Sequence, residues 1–190
     1  AVLNAAFRGA LAQLDANVMV VDTSLKVIFV NPAASQMLAR AQAALRSELT
    51  EFDATRLLGS SLEVLTLKPA ELRKQVEQLT DMTVREEVMG GRTMKSIMSP
   101  MKDDAGRRLG TVIEWFDRTQ EVATESELQD IIVDVTEGRL GNRISLDGKR
   151  NFFLSLSRGI NELVDAIGTM VEEVQGLVVA ANHGDLTKRI

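Results

Sequence analysis

Cysteine and tyrosine are absent from this 190-residue sequence, and histidine and tryptophan occur once each, as His183 and Trp115. Without cysteine there are no disulfides, no thiolate metal sites and no cysteine nucleophile. With one histidine, a nucleophile–histidine pair or an imidazole metal cluster would rest on His183 alone, seven residues from the end. No Gly-rich phosphate loop of either common spacing occurs. The expectation is no catalytic residue, no metal and no enzyme. Basic charge is also scarce: 27 acidic against 22 basic residues give a net charge of −5 and no cluster of Lys and Arg, which argues against nucleic acid. Apolar runs last only a few residues, as at Val178 to Ala181, too short to cross a bilayer. No signal peptide is apparent, so the expected setting is cytoplasmic with no membrane contact. Because the chain starts at Ala1 and stops inside a repeated motif, it reads as a piece of a longer parent, for which a membrane anchor outside these residues stays open.

What is present changes character near residue 120. Residues 1–16 open with helical spacing (Leu3, Phe7, Ala10, Leu11, Leu14). Two β-branched runs follow, Asn17 to Asp22 and Lys26 to Asn31, separated by a short hairpin-like link. Asn31-Pro32 then opens a helix, because Asn supplies a cap acceptor and Pro at the first turn needs no donor. Phe52 to Leu65 reads as a looser connection, and Pro69 starts a helix to about residue 79. Three strands come next: Thr83 to Met89, Arg92 to Lys102 and Arg107 to Asp117. Gly90-Gly91 and Asp103 to Gly106 supply the turns. The order β-β-α-α-β-β-β predicts an α+β domain, one antiparallel sheet with helices on one face.

Alternation along these strands places Ile113 with Trp115, and Met94 with Ser96 and Met98, facing the helices. Two readings of that face stand open. One is a ligand cavity lined also by Met37, Leu58 and Leu65; the other is a filled core, since Met packs irregular gaps well. Glu71 reads as a solvated helix glutamate, and His183 as a helix-end residue.

Beyond residue 120 the sequence is helical. Phe153, Leu156, Ile160, Leu163, Ile167, Met170, Val174 and Leu177 alternate steps of three and four. That stripe repeats every ~3.5 residues, the spacing of a coiled-coil seam, and predicts a homodimer. Leu128, Ile131 and Val135 make a shorter stretch of the same kind. Glycines at 138, 141 and 148 break the helix between them. Glu137 to Ile144 and His183 to Ile190 agree at Gly, Leu, Arg and Ile, an internal repeat of a helix–connector–helix unit.

Residues about 10–122 resemble a PAS sensor domain. The resemblance rests on the first strand pair, the Asn31-Pro32-Ala33 helix start, the Gly90-Gly91-Arg92 hairpin and the run Leu109 to Thr119. Residues about 123–190 resemble one HAMP unit and the start of another. The two together resemble the cytoplasmic relay of a methyl-accepting chemotaxis transducer of the aerotaxis type. The implied domains are a 1–16 helix, a 17–120 PAS domain, a 121–172 HAMP unit and a 173–190 start of a second. The HAMP resemblance implies an all-α, parallel helical bundle, dimeric, with Gly138, Leu140 and Ile144 as connector positions and Phe153, Leu156, Ile160, Leu163 and Ile167 in the dimer seam. Asp117-Arg118-Thr119 matches the Asp-x-Thr step that passes a signal into a following helix, so Asp117 and Thr119 become the implied relay; static capping is the alternative.

Haem-binding PAS domains of this class carry two histidines in a segment like Leu65 to Arg73. Thr66 and Glu71 stand at those positions here, which implies no haem. Trp115 matches a tryptophan near the distal haem face, implying a pocket that persists without the cofactor. The parent's implied partners are a histidine kinase and a coupling protein, reached through a downstream module. A histidine kinase or cyclase parent, or a ligand-free dimerisation module, are the alternatives.

Overall fold

The computed structural model describes residue 6 and residues 9–184. The expected helix start at Leu3 and Phe7, and the second copy of the repeat from residue 185 onward, lie outside the described residues. The chain divides into two compact units, residues 1–119 and 120–190.

In the first unit, β1 (Asn17–Asp22) and β2 (Val27–Val30) form an antiparallel pair. The Asp22 carboxylate shapes the link between them by accepting from the Ser24 N–H at 2.8 Å and the Lys26 N–H at 3.0 Å. Helix α1 (Pro32–Leu45) follows, then two short 3-10 turns, Ala54–Arg56 and Leu62–Leu65, and helix α2 (Pro69–Glu77). Strands β3 (Thr83–Met89), β4 (Arg92–Lys102) and β5 (Arg108–Asp117) complete one five-stranded antiparallel sheet of order β2-β1-β5-β4-β3.

Asn31 fixes the start of α1. It is fully buried, and its Oδ1 accepts from the N–H groups of Ala34 at 2.9 Å and Val18 at 3.0 Å. Its Nδ2 donates to the carbonyls of Leu11, Leu14 and Ala16. One side chain thus ties β1, α1 and the preceding segment together, satisfying backbone groups that are buried at Val18 and Ala34 and half-buried in the preceding segment. The β3–β4 turn is as tightly specified. Gly90 has φ +56°, and a Cβ there would lie 1.9 Å from the Ala44 carbonyl oxygen. Only glycine allows that turn to close against the end of α1. The core lies between the inner sheet face and the helices, with Met19, Val21, Met98 and Ile113 meeting Leu38, Ala41, Leu45, Phe52 and Leu72.

The second unit contains α3, which runs Thr119–Thr136 from the last residue of the first unit, and α4 (Asn151–Asn182). Gly138 and Gly148, with φ of +78° and +71°, bracket the connector between them. Ile131, Ile144 and Val164 form a small buried cluster, with Leu128, Val135, Leu140 and Ile160 packed against it. Ile160, expected in the seam between two copies, therefore packs within its own chain. The stripe on α4 has a neighbour here, because the connector brings Ile144 onto the face bearing Asn161 and Val164. Asn161 holds that arrangement by accepting from the Ile144 N–H at 2.8 Å and donating to the Ile144 carbonyl at 2.9 Å. Among the described residues no helix is long and apolar enough to cross a membrane.

Candidate sensory site and relay junction

Between the helices and the inner sheet face lies a cavity of about 10 Å³. Leu65, Met94, Ser96, Met98, Ile113 and Trp115 line it, six of the expected positions. Met37 is buried in the core instead, outside the cavity wall. Leu58 is corrected: it is 67% exposed and borders an open polar groove with Glu51, Asp53 and Arg56. Its segment follows a 3-10 turn and has no strand or helix phase to direct the side chain inward. The cavity is close to the size of a single water site, so the inner face is nearly filled in this conformation.

The wall also includes Thr66, Arg85 and Glu87, which the sequence reading did not select. Arg85 and Glu87 are only 11% and 13% exposed at their side chains and pair at 2.8 Å. The Thr66 hydroxyl donates to Glu87 at 2.9 Å and accepts from Arg85 at 3.0 Å. The Leu67 N–H donates to the second Glu87 oxygen at 3.0 Å. Burial alone would raise the Glu87 carboxyl pKa, but the Arg85, Thr66 and Leu67 donors together hold it below the ordinary glutamate value. Glu71 lies outward, 61% exposed at its side chain, facing Lys68 at 3.7 Å and Arg85 at 3.5 Å.

At the end of β5, Asp117 and Thr119 come together with β4. Asp117 Oδ2 accepts from Arg92 Nη1 at 2.5 Å. Its Oδ1 accepts from the Thr119 N–H at 3.1 Å and the Thr119 hydroxyl at 2.5 Å. Thr119 Oγ1 in turn accepts from the Thr93 N–H at 3.1 Å, and the Arg118 N–H donates to the Thr93 carbonyl at 2.8 Å. Thr119 is thus the first helical residue, stitched to a strand, while the carboxylate of Asp117 does the capping.

In the second unit, Gly138 ends α3, while Leu140 packs on the small core and Ile144 enters it. Of the expected seam, Phe153, Leu156 and Ile167 are half-buried and Leu163 is 60% exposed. Met170, Val174 and Val178 are exposed as well. His183 is exposed, its Nδ1 2.8 Å from the Val179 carbonyl oxygen. Among the described residues no group of three His, Cys, Asp or Glu is placed to hold a metal.

Residues 5–72 match the PAS domain family. The whole chain is 37% identical over 190 residues to the methyl-accepting chemotaxis protein McpB of Pseudomonas aeruginosa, of which it spans 28%. Among solved structures, the Aer2 receptor from Vibrio cholerae, a dual PAS-haem oxygen sensor, is 21% identical, with 54% of this chain and 93% of that chain covered and a TM-score of 0.49. An RNA-binding light-oxygen-voltage receptor shares the fold at 15% identity, covering 69% of this chain and 37% of that one, with a TM-score of 0.50. The first unit is a PAS domain with the PAS-type five-stranded sheet, in a chain similar along its full length to a chemotaxis receptor.

Proposed function

We propose that this chain is a non-catalytic signal relay of a chemotaxis receptor, in which the PAS domain works on a HAMP-type helical unit through Asp117 and Thr119. The observation that carries the reading is the bonding of Asp117, which joins Arg92 on β4 to the first residue of α3 while Thr119 reaches back to Thr93. A change at the inner face of β4 and β5 must rearrange this node before it reaches the helix. Arg92 Nε is buried there with no acceptor among the described residues, so a second bonding pattern that engages it can compete with the first. Similarity to McpB supports a receptor context, with a histidine kinase and a coupling protein as the parent's partners.

The helical unit acts as a parallel dimer in this reading. Leu163, Met170 and Val174 continue the seam beyond the small intrachain core, and a second copy of α4 covers them. Two packings of such a bundle, close in energy, would turn a shift at Thr119 into helix displacement.

The domain works without haem. Haem iron is held by imidazole, thiolate, thioether or phenolate ligands. The chain has no cysteine or tyrosine, and the cavity wall contains no histidine. Met89, Met94 and Met98 there thus lack the imidazole with which a thioether shares haem iron. Thr66, at one family histidine position, spends its hydroxyl on Glu87 and Arg85, and Glu71, at the other, points outward.

The test is kinase output from the parent receptor carrying Asp117→Asn with Thr119→Val. The pair should abolish the response to stimulus while leaving expression and folding intact. A response equal to wild type would overturn the relay.

A further inference from the structure

No side chain caps α4 at Arg150, so its first turn is placed by the chain that leads into it. That chain is the end of the connector, and it is fastened to α3. The Gln120 Nε2–H donates to the Gly148 carbonyl at 2.6 Å. Lys149 Nζ donates to Glu127 Oε2 and to the Ser145 carbonyl, each at 2.7 Å, and the lysine side chain is only 6% exposed. Gln120, Thr124, Glu127 and Ile131 follow one another in steps of four, three and four, a single stripe of α3. Within that stripe Thr124 is 2% exposed and its hydroxyl has no partner among the described residues, so the seat between the two fastenings is closed to water. A shielded ammonium parted from its carboxylate is costly. The end of the connector therefore follows α3 when α3 moves.

We infer that this fastening is a latch that carries displacement of α3 directly to the start of α4, with Gln120, Glu127 and Lys149 as its positioning residues. Gln120 is the residue after Thr119. The small core of Ile131, Ile144 and Val164 takes its first α3 residue at Leu128, roughly 13 Å along the helix from Thr119. The latch thus lies ahead of the core on the way from the junction, and only Lys149 and Arg150 separate Gly148 from the first residue of α4. It works within one copy of the chain and does not require the dimer. The inference rests on the relay reading of Asp117 and Thr119, and it names the contact by which the helical unit receives the shift.

The test follows amide hydrogen exchange by mass spectrometry across residues 150–156 of the 190-residue chain. Asp117→Asn with Thr119→Val should change exchange there about fivefold in the otherwise wild-type chain, and less than about twofold in Lys149→Met, which keeps the side-chain length and loses the charge. Lys149→Arg, which keeps the charge, should retain most of that transfer. Gln120→Ala, at an exposed position, removes the other fastening and should cut the transfer by about half. Full transfer in Lys149→Met, or in Gln120→Ala should Lys149→Met fail to fold, overturns the latch and leaves the relay standing. No change across α4 from the junction pair in the wild-type background overturns the relay itself, and the latch with it.

Discussion

The first unit closes on itself and the second does not. Between the sheet and helices α1 and α2, side chains as large as Phe52, Met98 and Ile113 are nearly or fully removed from water. In the second unit, Ile131, Ile144 and Val164 are the only apolar side chains that reach that state among the described residues, although α4 alone runs for 32 residues. A sheet carries its hydrophobic face on one side and needs one layer of helices to cover it. A pair of helices joined by a strap covers only the stripe where they meet. Around and beyond Val164, α4 shows Leu163, Met170, Val171, Val174 and Val178 to solvent, with Ile167 half-buried. The difference teaches where a change of one copy can be felt: packing defects in the first unit stay local, whereas the second unit depends on what it meets.

The sharpest way to break the first half of this comparison is Asn31→Ala. It removes the acceptor for Val18 and Ala34 and the donor to three carbonyls, all in buried or half-buried surroundings. The expected loss is about 2–4 kcal/mol in urea unfolding of the first unit, larger than an ordinary cap because several backbone groups are orphaned together. A loss below about 1 kcal/mol, the size of a single cap, would show that water replaces the amide and that the hub is not structural.

The second half of the comparison is sharpened by Leu163→Glu. Two copies of the carboxylate would meet in the dimer seam, and dissociation should rise about thirtyfold, near 2 kcal/mol. Sedimentation of the chain across a concentration series checks this. The same substitution at Ser155, exposed and off the stripe, serves as the control. A chain that sediments as a single copy before any substitution would remove the dimer from the reading altogether.

Much of the first unit was legible because its strands are punctuated. β1, β3 and β4 begin and end where the β-branched or alternating runs do, since glycine pairs and aspartate turns stop them. Arg85 and Glu87 were missed because charged residues in a strand read as solvated. Their phase was nonetheless recoverable. Arg85 stands opposite Ser96 and Glu87 opposite Met94, so choosing Ser96 and Met94 as inward-facing obliges their partners to face inward too. Leu58 had no such phase to read. In the helical unit, the three-four alternation located an apolar stripe but not its partner. Ile160 meets Ile131 and Ile144 of its own chain while Leu163, three residues on, does not, and that division depends on the connector's path rather than on the spacing.

The smallest effect concerns the polar edge of the cavity. Glu87 is held below the ordinary glutamate value of 4.5: burial opposes ionisation, and the Arg85, Thr66 and Leu67 donors outweigh it. A carboxyl whose pKa is depressed by folding lends stability above its unfolded value and gives it up as pH falls through its folded value. Wild type should therefore exceed Glu87→Gln in stability by about 1–2 kcal/mol at neutral pH, since the amide cannot balance Arg85. That gap should close as pH drops below 4.5, where the wild-type carboxyl takes up its proton and becomes as neutral as the amide. Urea unfolding of both proteins at pH 7 and at several values below 4.5 reads the gap directly. High salt weakens the exposed carboxylate pairs, such as Asp103 with Arg107, more than this shielded one, so the closing should persist there. A gap that stays constant with pH would mean that the amide differs from the carboxylate in packing alone. The Arg85–Glu87 charge pair would then contribute nothing to holding the cavity's edge.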